Sequence, residues 1–465
     1  MPTATRIRDH CLAPGRSADA PLAGTGYQRL FPELAPLECE DDALHALGRA
    51  GGACDAAAAA VAAGSAARDP DARGAAGWPV FAQFVAHDVT ADRSPLTHHA
   101  ELAEVRNARS PRANLEVVYG DGPVGMPFLF DRDDPAKLLV GRNDAGRPAD
   151  LPRNAQGVAL VGDPRNDVHL LVSQLHVAML WLHNGLVDRL RAEGVTEAEL
   201  FAEARRAATW HYQWVLLEDF LPRLIGAGLA AELLAGGVRH YRPGPGVAWI
   251  PLEFADAAYR YGHSQIRERY RVNRDAEPVP LFPDLLGFRP VPAALAVDWS
   301  CLFDLPGRPP AQRAKRIDGR LAASLIQLPE AITGAGAGDY GSLAVRDLQR
   351  GQGVGLPSGE ALARHLGVEP LTPAEVGLGP SGWELETPLW FYLLKEAEHR
   401  GHGERLGPIG GRLVGEVLVG IVDADGESYR AVDPAWRPTL PAAGPGRFGL
   451  TDLLLFAAEA AETAD

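Results

Sequence analysis

At 465 residues with 46% hydrophobic content, the chain has ample material for one large core. A formal charge of -15 argues against nucleic acid and anionic lipid as main partners and favours a small-molecule substrate. Four cysteines, Cys11, Cys39, Cys54 and Cys301, lack C-x-x-C spacing, so a zinc site or disulfide framework is not expected and a reducing, cytoplasmic setting is the simplest one. The first residues carry charges rather than an apolar signal core, and the apolar run from Leu413 to Val422 contains Glu416 and is too short to span a bilayer.

Residues 1 to 75 are expected to form an N-terminal arm packed on the core. Within it Glu40 to Ala67 is alanine-rich and helix-prone, broken by Gly51-Gly52 and Gly64. From residue 76 to 465 we expect one mainly helical domain with long loops and little β structure. Its first strong element is Trp78 to Thr90, with Pro79 suited to the first helical turn. Gln83 and His87 stand one turn apart and lean onto one face, away from Trp78, Phe81 and Val85. Further on, the side-chain oxygens of Ser110, Asn114 and Glu116, with the backbone carbonyl of Arg112, suit a hard cation such as calcium. A turn held by local hydrogen bonds explains the same residues almost as well.

A Gly/Pro/Asp-rich loop leads through Val161-Gly162-Asp163-Pro164-Arg165-Asn166-Asp167 into an amphipathic helix from Leu170 to Leu190. Its His176 and His183 share a face, but two-turn spacing is too long for direct chelation of one ion, and both read as structural. Ala204 to Gly226 reads as a helix with Trp210, Tyr212, Trp214 and Phe220 in the core. Between Glu253 and Tyr270, Phe254, Ala257, Ala258 and Tyr261 recur at helical steps, which predicts a helix with His263 opposite the apolar face beside Asp256, Tyr259 and Arg260. Alone, His263 reads as a polar-face residue; the sharper alternative is an axial ligand to haem iron. Residues 272 to 316 are a proline-rich packed loop region, and a helix is expected from Ile317-Asp318 to Leu328. Gly336 to Gly341 matches G-x-G-x-x-G, but no strand precedes it, so a flexible turn is expected rather than a dinucleotide site.

Taken together, the Trp78–Thr90 and Glu253–Tyr270 stretches, the G-D-P-R-N-D run before an L-H-x-A and H-N helix, and Asp347 to Ser358 resemble the animal-type haem peroxidase superfamily, its bacterial members in particular. The likeness covers roughly residues 25 to 460. It implies a haem with His263 as proximal iron ligand, Asp347 bonded to that histidine where other members place asparagine, and Arg260 and Arg350 near the haem edge or a propionate. On the distal side it implies His87 as the proton-transfer group, Arg165 as the charge stabiliser and Gln83 as a positioner of peroxide, water or halide. It also implies a calcium shell completed by Asp88, with Asn114 standing where the family has a carboxylate. Ala86 and Val168 replace the ester-forming acids of the mammalian pattern, so a non-covalent haem b is expected. The expected activity is oxidation of small organic donors or halides by hydrogen peroxide. The runner-up is a fatty-acid dioxygenase, which calls for a tyrosine where Arg260 stands and so would need Tyr259 or Tyr261 to turn toward the haem. A third possibility is a haem-binding scaffold without turnover. Oligomeric state is not legible.

Overall fold

The computed structural model describes residues 26–62, 71–91, 107–246, 248–334, 336–443 and 448–464. The charged N-terminus and Cys11 lie outside the described residues. The principal helices are α1 (Asp41–Gly48), α2 (Trp78–Val89), α3 (Leu170–Ala192), α4 (Leu200–Trp214), α5 (Ala227–Gly236), α6 (Leu343–Gly353), α7 (Leu389–Arg400), α8 (Pro408–Ala424) and α9 (Leu450–Ala464). The six short strands, β1 (Tyr27–Gln28), β2 (Asp71–Ala75), β3 (Ile250–Pro251), β4 (Arg269–Tyr270), β5 (Val279–Pro280) and β6 (Arg313–Lys315), form only two-stranded pairs: β1–β3 parallel, β2–β6 and β4–β5 antiparallel. The architecture is mainly α, as expected.

The centre of the core is α3, packed against α2, α4 and α9. It is apolar and long enough to cross a membrane by composition alone, yet it is almost wholly buried within the protein. The chain of α4 continues through a widened π turn (Val215–Phe220) and a last helical stretch (Leu221–Ile225) to Gly226, whose φ of +88° ends the helix in a conformation glycine adopts at no steric cost. Trp210, Tyr212, Trp214 and Phe220 are all buried along it, as predicted.

Before α2, Gly77 has its own reason to be glycine. A β-carbon there would come within 2.3 Å of the Phe303 ring, so the start of α2 can seat against that ring only without one. Pro79 occupies the first turn and lacks only an amide that would be unbonded anyway. The described part of residues 26–75 is woven into the body: β1 pairs with β3, β2 with β6, and α1 packs on α6. The alanine-rich stretch does break at Gly51, leaving α1 and a second short helix, Ala56–Ala62.

Two predicted helices are corrected. Glu253 to Tyr270 is not one helix: Leu252–Ala255 is a single turn, the backbone kinks at Ala257 (φ -139°, ψ -75°), and Ala258–Gln265 is a tighter 3-10 segment before β4. Both helix types bring the same apolar residues inward, so periodicity did not separate them. Likewise Ile317 to Leu328 is helical only at Ala323–Ile326. Gly338–Gly341 forms the expected turn.

Candidate active site

One face of α2, the turn before α3, and the 3-10 segment converge on a cavity of about 190 Å³. From α2 it receives Gln83, Ala86 and His87; from the turn, Arg165 and Val168; from the 3-10 segment, Tyr259, Arg260 and His263. The three distal residues and the proximal histidine expected from sequence are therefore brought together, and Arg260 with them. Apolar side chains such as Phe254, Leu281, Phe282 and Leu325 close the walls.

On one side, His263 is held through its Nδ1, 2.6 Å from the Asp347 carboxylate on α6. That carboxylate also accepts from Arg260 Nη1 at 2.9 Å. Arg260 in turn donates to Asp256 at 2.8 Å and to the Ala255 carbonyl at 2.9 Å, and Arg350 pairs with Asp256 at 3.3 Å. Burial alone would push the Asp347 carboxyl up, but the charge and hydrogen bond of His263, then those of Arg260, outweigh it and hold the group below the usual carboxylate range. With Nδ1 committed to a carboxylate, Nε2 is the basic nitrogen left to the cavity. Arg350 is buried in the Asp256 ion pair and does not line the cavity.

Opposite, His87 Nδ1 lies 2.7 Å from Asn166 Oδ1, and Asn166 Nδ2 lies 2.9 Å from His176 Nδ1. Arg165 is fixed by Asp163, which accepts from its Nε (3.0 Å) and Nη2 (2.9 Å), and by the carbonyls of His87 (2.9 Å) and Thr90 (2.6 Å). Asp163 also accepts from Arg109 at 2.9 Å. Burial disfavours its charge, yet Arg165 and Arg109 overcome this and hold the carboxyl far below its ordinary value. His176 is buried as expected, with its Nδ1 against the Asn166 amide. His183 is likewise buried, bonded to Tyr119 Oη (3.1 Å) and the Ala136 carbonyl (2.8 Å). Sequence reasoning also missed Asn166 and the cavity-wall His169, because neither spacing nor charge marks them.

The donor set suits an iron porphyrin: one imidazole backed by a carboxylate, a second imidazole and a guanidinium lining the same cavity, and apolar side chains in its walls. Tyr259 adds an independent sign, since its hydroxyl is buried in the cavity wall without a hydrogen-bond partner.

The calcium expectation meets a different arrangement. Glu116 accepts from Arg109 Nη1 (2.9 Å) and from the backbone and hydroxyl of Ser110, while Asp88 accepts from Leu115 N (3.0 Å) and Val117 N (3.3 Å). Asn114 caps the Glu116 amide at 3.2 Å, and the Arg112 side chain reaches toward Asp425 and Glu427. Burial raises the Asp88 carboxyl to about 6. Among the described residues no group of three His, Cys, Asp or Glu is disposed to hold a metal ion. The carboxylates of Asp88 and Glu116 thus carry hydrogen bonds within the protein, with Arg109 as the counter-cation of Glu116.

A helical body whose cavity is lined by two histidines, an arginine and apolar side chains points to a haem-protein class. Comparison with known proteins narrows it: residues 97–375 match the animal haem peroxidase family, and the chain belongs to that family. The match holds Arg165, Asn166, His263 and Asp347, while His87 precedes it and is placed by the structure. The chain is 28% identical over 181 residues to a human protein named probable oxidoreductase PXDNL, covering 37% of this chain and 11% of that one. It is 30% identical over 112 residues to peroxidase mlt-7 of Caenorhabditis elegans, covering 24% and 15%. It thus matches only a small part of these curated relatives' length. In fold it is similar to peroxidase A from Dictyostelium discoideum (TM-score 0.65, 15% identity, 92% and 93% covered). It is also similar to a fatty acid alpha-dioxygenase of Arabidopsis thaliana (TM-score 0.58, 14% identity, 85% and 71% covered).

Proposed function

We propose that this protein is a haem peroxidase that uses hydrogen peroxide to oxidise small organic donors, phenolic or aromatic, with halides as a further class. The observation that carries the reading is the cavity wall itself, which His263, backed by Asp347, shares with His87 and Arg165. A bound haem supplies the redox chemistry; His263 and Arg260 are the residues that would hold it. His87 offers one imidazole nitrogen to take a proton from one peroxide oxygen and return it to the other, a service typically contributing about 10² to 10⁴ in rate. Arg165, immobilised by Asp163, keeps its charge at any working pH and stabilises the negative charge that develops on the departing oxygen. Gln83, one turn before His87, positions peroxide or a halide.

Ala86 and Val168 both lie in the cavity wall, and neither has a carboxylate to esterify a haem methyl. The haem is therefore b-type and non-covalent, and acid acetone extracts it; pigment staying with the polypeptide refutes this. We read the setting as cytoplasmic. The deciding experiment reconstitutes the protein with haem and mixes it with peroxide and a phenolic donor. Turnover lost in His87→Ala supports the reading, and haem binding with no donor oxidation in the wild type overturns it.

One observation favours a second reading. Tyr259 lines the cavity, stacked on Phe254 with ring centroids 4.7 Å apart, and a fatty-acid dioxygenase would need a tyrosine close to the haem. Oxygen uptake on adding a polyunsaturated acid, lost in Tyr259→Phe, would establish it.

A further inference from the structure

We propose that Asn166 and His176 are positioning residues that fix which nitrogen of His87 carries the proton. The inference rests on the reading of His87 as the proton-transfer group and deepens it.

The turn Pro164–Asp167 sends two neighbouring side chains to the same histidine, Arg165 to the His87 backbone carbonyl and Asn166 to the His87 ring. Arg165 enters the cavity, whereas Asn166, fully buried, reaches behind α2 to His87 Nδ1. An amide can present either its oxygen or its NH₂ to a ring nitrogen, and the two choices impose opposite tautomers. With Oδ1 toward His87, Nδ1 must be the protonated nitrogen, and the lone pair of Nε2 faces the cavity. With the amide reversed, Nδ1 must accept, the proton sits on Nε2, and the ring cannot act as a base toward peroxide.

Only the first orientation also tolerates the cationic ring, in which both nitrogens are donors. The amide can then stay still while His87 gains and loses its proton.

His176 is the group that sets that orientation in this proposal. Its Nδ1 is 2.9 Å from Asn166 Nδ2 and must accept for Oδ1 to turn toward His87. Burial pushes the His176 imidazole down to about 3, so it stays neutral, and protonated on Nε2 it presents Nδ1 as the acceptor for the amide. Phe84 packs edge-on against the same ring, with centroids 6.3 Å apart, and helps hold it in place.

The test is ¹⁵N NMR of histidine-labelled, haem-loaded full chain in the diamagnetic ferrous carbon monoxide state, joined to kcat/KM for peroxide. In the wild type His87 should show its proton on Nδ1. In His176→Leu and Asn166→Leu the Nε2-protonated form should appear, and kcat/KM should fall at least tenfold. His176→Gln, which restores an acceptor for the Asn166 amide, should recover most of the rate. His183→Gln, equally buried two turns along α3, controls for packing damage and should leave the His87 tautomer unchanged. A wild-type His87 protonated on Nε2, or an unchanged tautomer in folded His176→Leu, overturns the proposal. A wild type with the expected tautomer but no peroxide reaction instead defeats the peroxidase reading and leaves the hydrogen-bond assignment standing.

Discussion

The two imidazoles across the cavity differ chiefly in what stands behind them. His263 has a carboxylate at Nδ1, itself gripped by Arg260, whereas His87 has a neutral amide backed by a neutral histidine. A carboxylate raises the basicity of the opposite nitrogen and makes it a lasting electron donor; an amide fixes orientation while leaving the ring free to gain and lose a proton. The same side chain is thus committed to ligation on one side and to proton transfer on the other.

The hardest blow to this division is His263→Ala, expected to abolish the haem absorption band after reconstitution; a band of unchanged intensity and position would show that iron is not held there. Next is His87→Leu, expected to keep haem while slowing the reaction with peroxide by about 10² to 10⁴, as read by stopped-flow absorption. Exchanging the backing group, Asp347→Asn, should cost about 10- to 100-fold in haem affinity or activity. It should also raise the iron reduction potential, measurable by spectroelectrochemistry; an unmoved potential would remove the carboxylate from the account.

The smallest effect concerns pH. Burial pushes His176, His183 and His211 down to about 3, 4 and 4, so only the unfolded chain takes up their protons as pH falls below 6.5, and stability drops toward pH 4. Asp88 and Glu396, raised to about 6 and about 7 chiefly by burial, act in the opposite sense: they favour the fold at low pH and lose that contribution as pH rises through those values. Replacing His183 with Gln should flatten the acid limb of a denaturation series by up to one proton, roughly 1.4 kcal/mol per pH unit. A slope identical to wild type would show that His183 is not held neutral.

What could be read from sequence follows from how local each signal is. The helix at Leu170 and the one at Trp78 announce themselves by periodicity and a first-turn proline. His87, Arg165 and His263 stand in long motifs. The break at Ala257 left no trace, because a 3-10 turn buries the same Phe254, Ala258 and Tyr261 as an α-helix. Asn166 and His176 were missed because an amide and a buried imidazole gain meaning only from a partner on another helix. For Arg350 the motif gives its neighbourhood but not its ion pair with Asp256.

One feature of the architecture bears on how the molecule is made. Glu253, buried just ahead of the 3-10 segment, clasps the Arg29 side chain and the amides of Leu30 and Phe31, while β1 lies beside β3. The loop that presents His263 is thus moored to residues that leave the ribosome before it and tied down again by Asp347, which follows it by 84 positions. A nascent chain halted before that aspartate would offer iron an untethered imidazole.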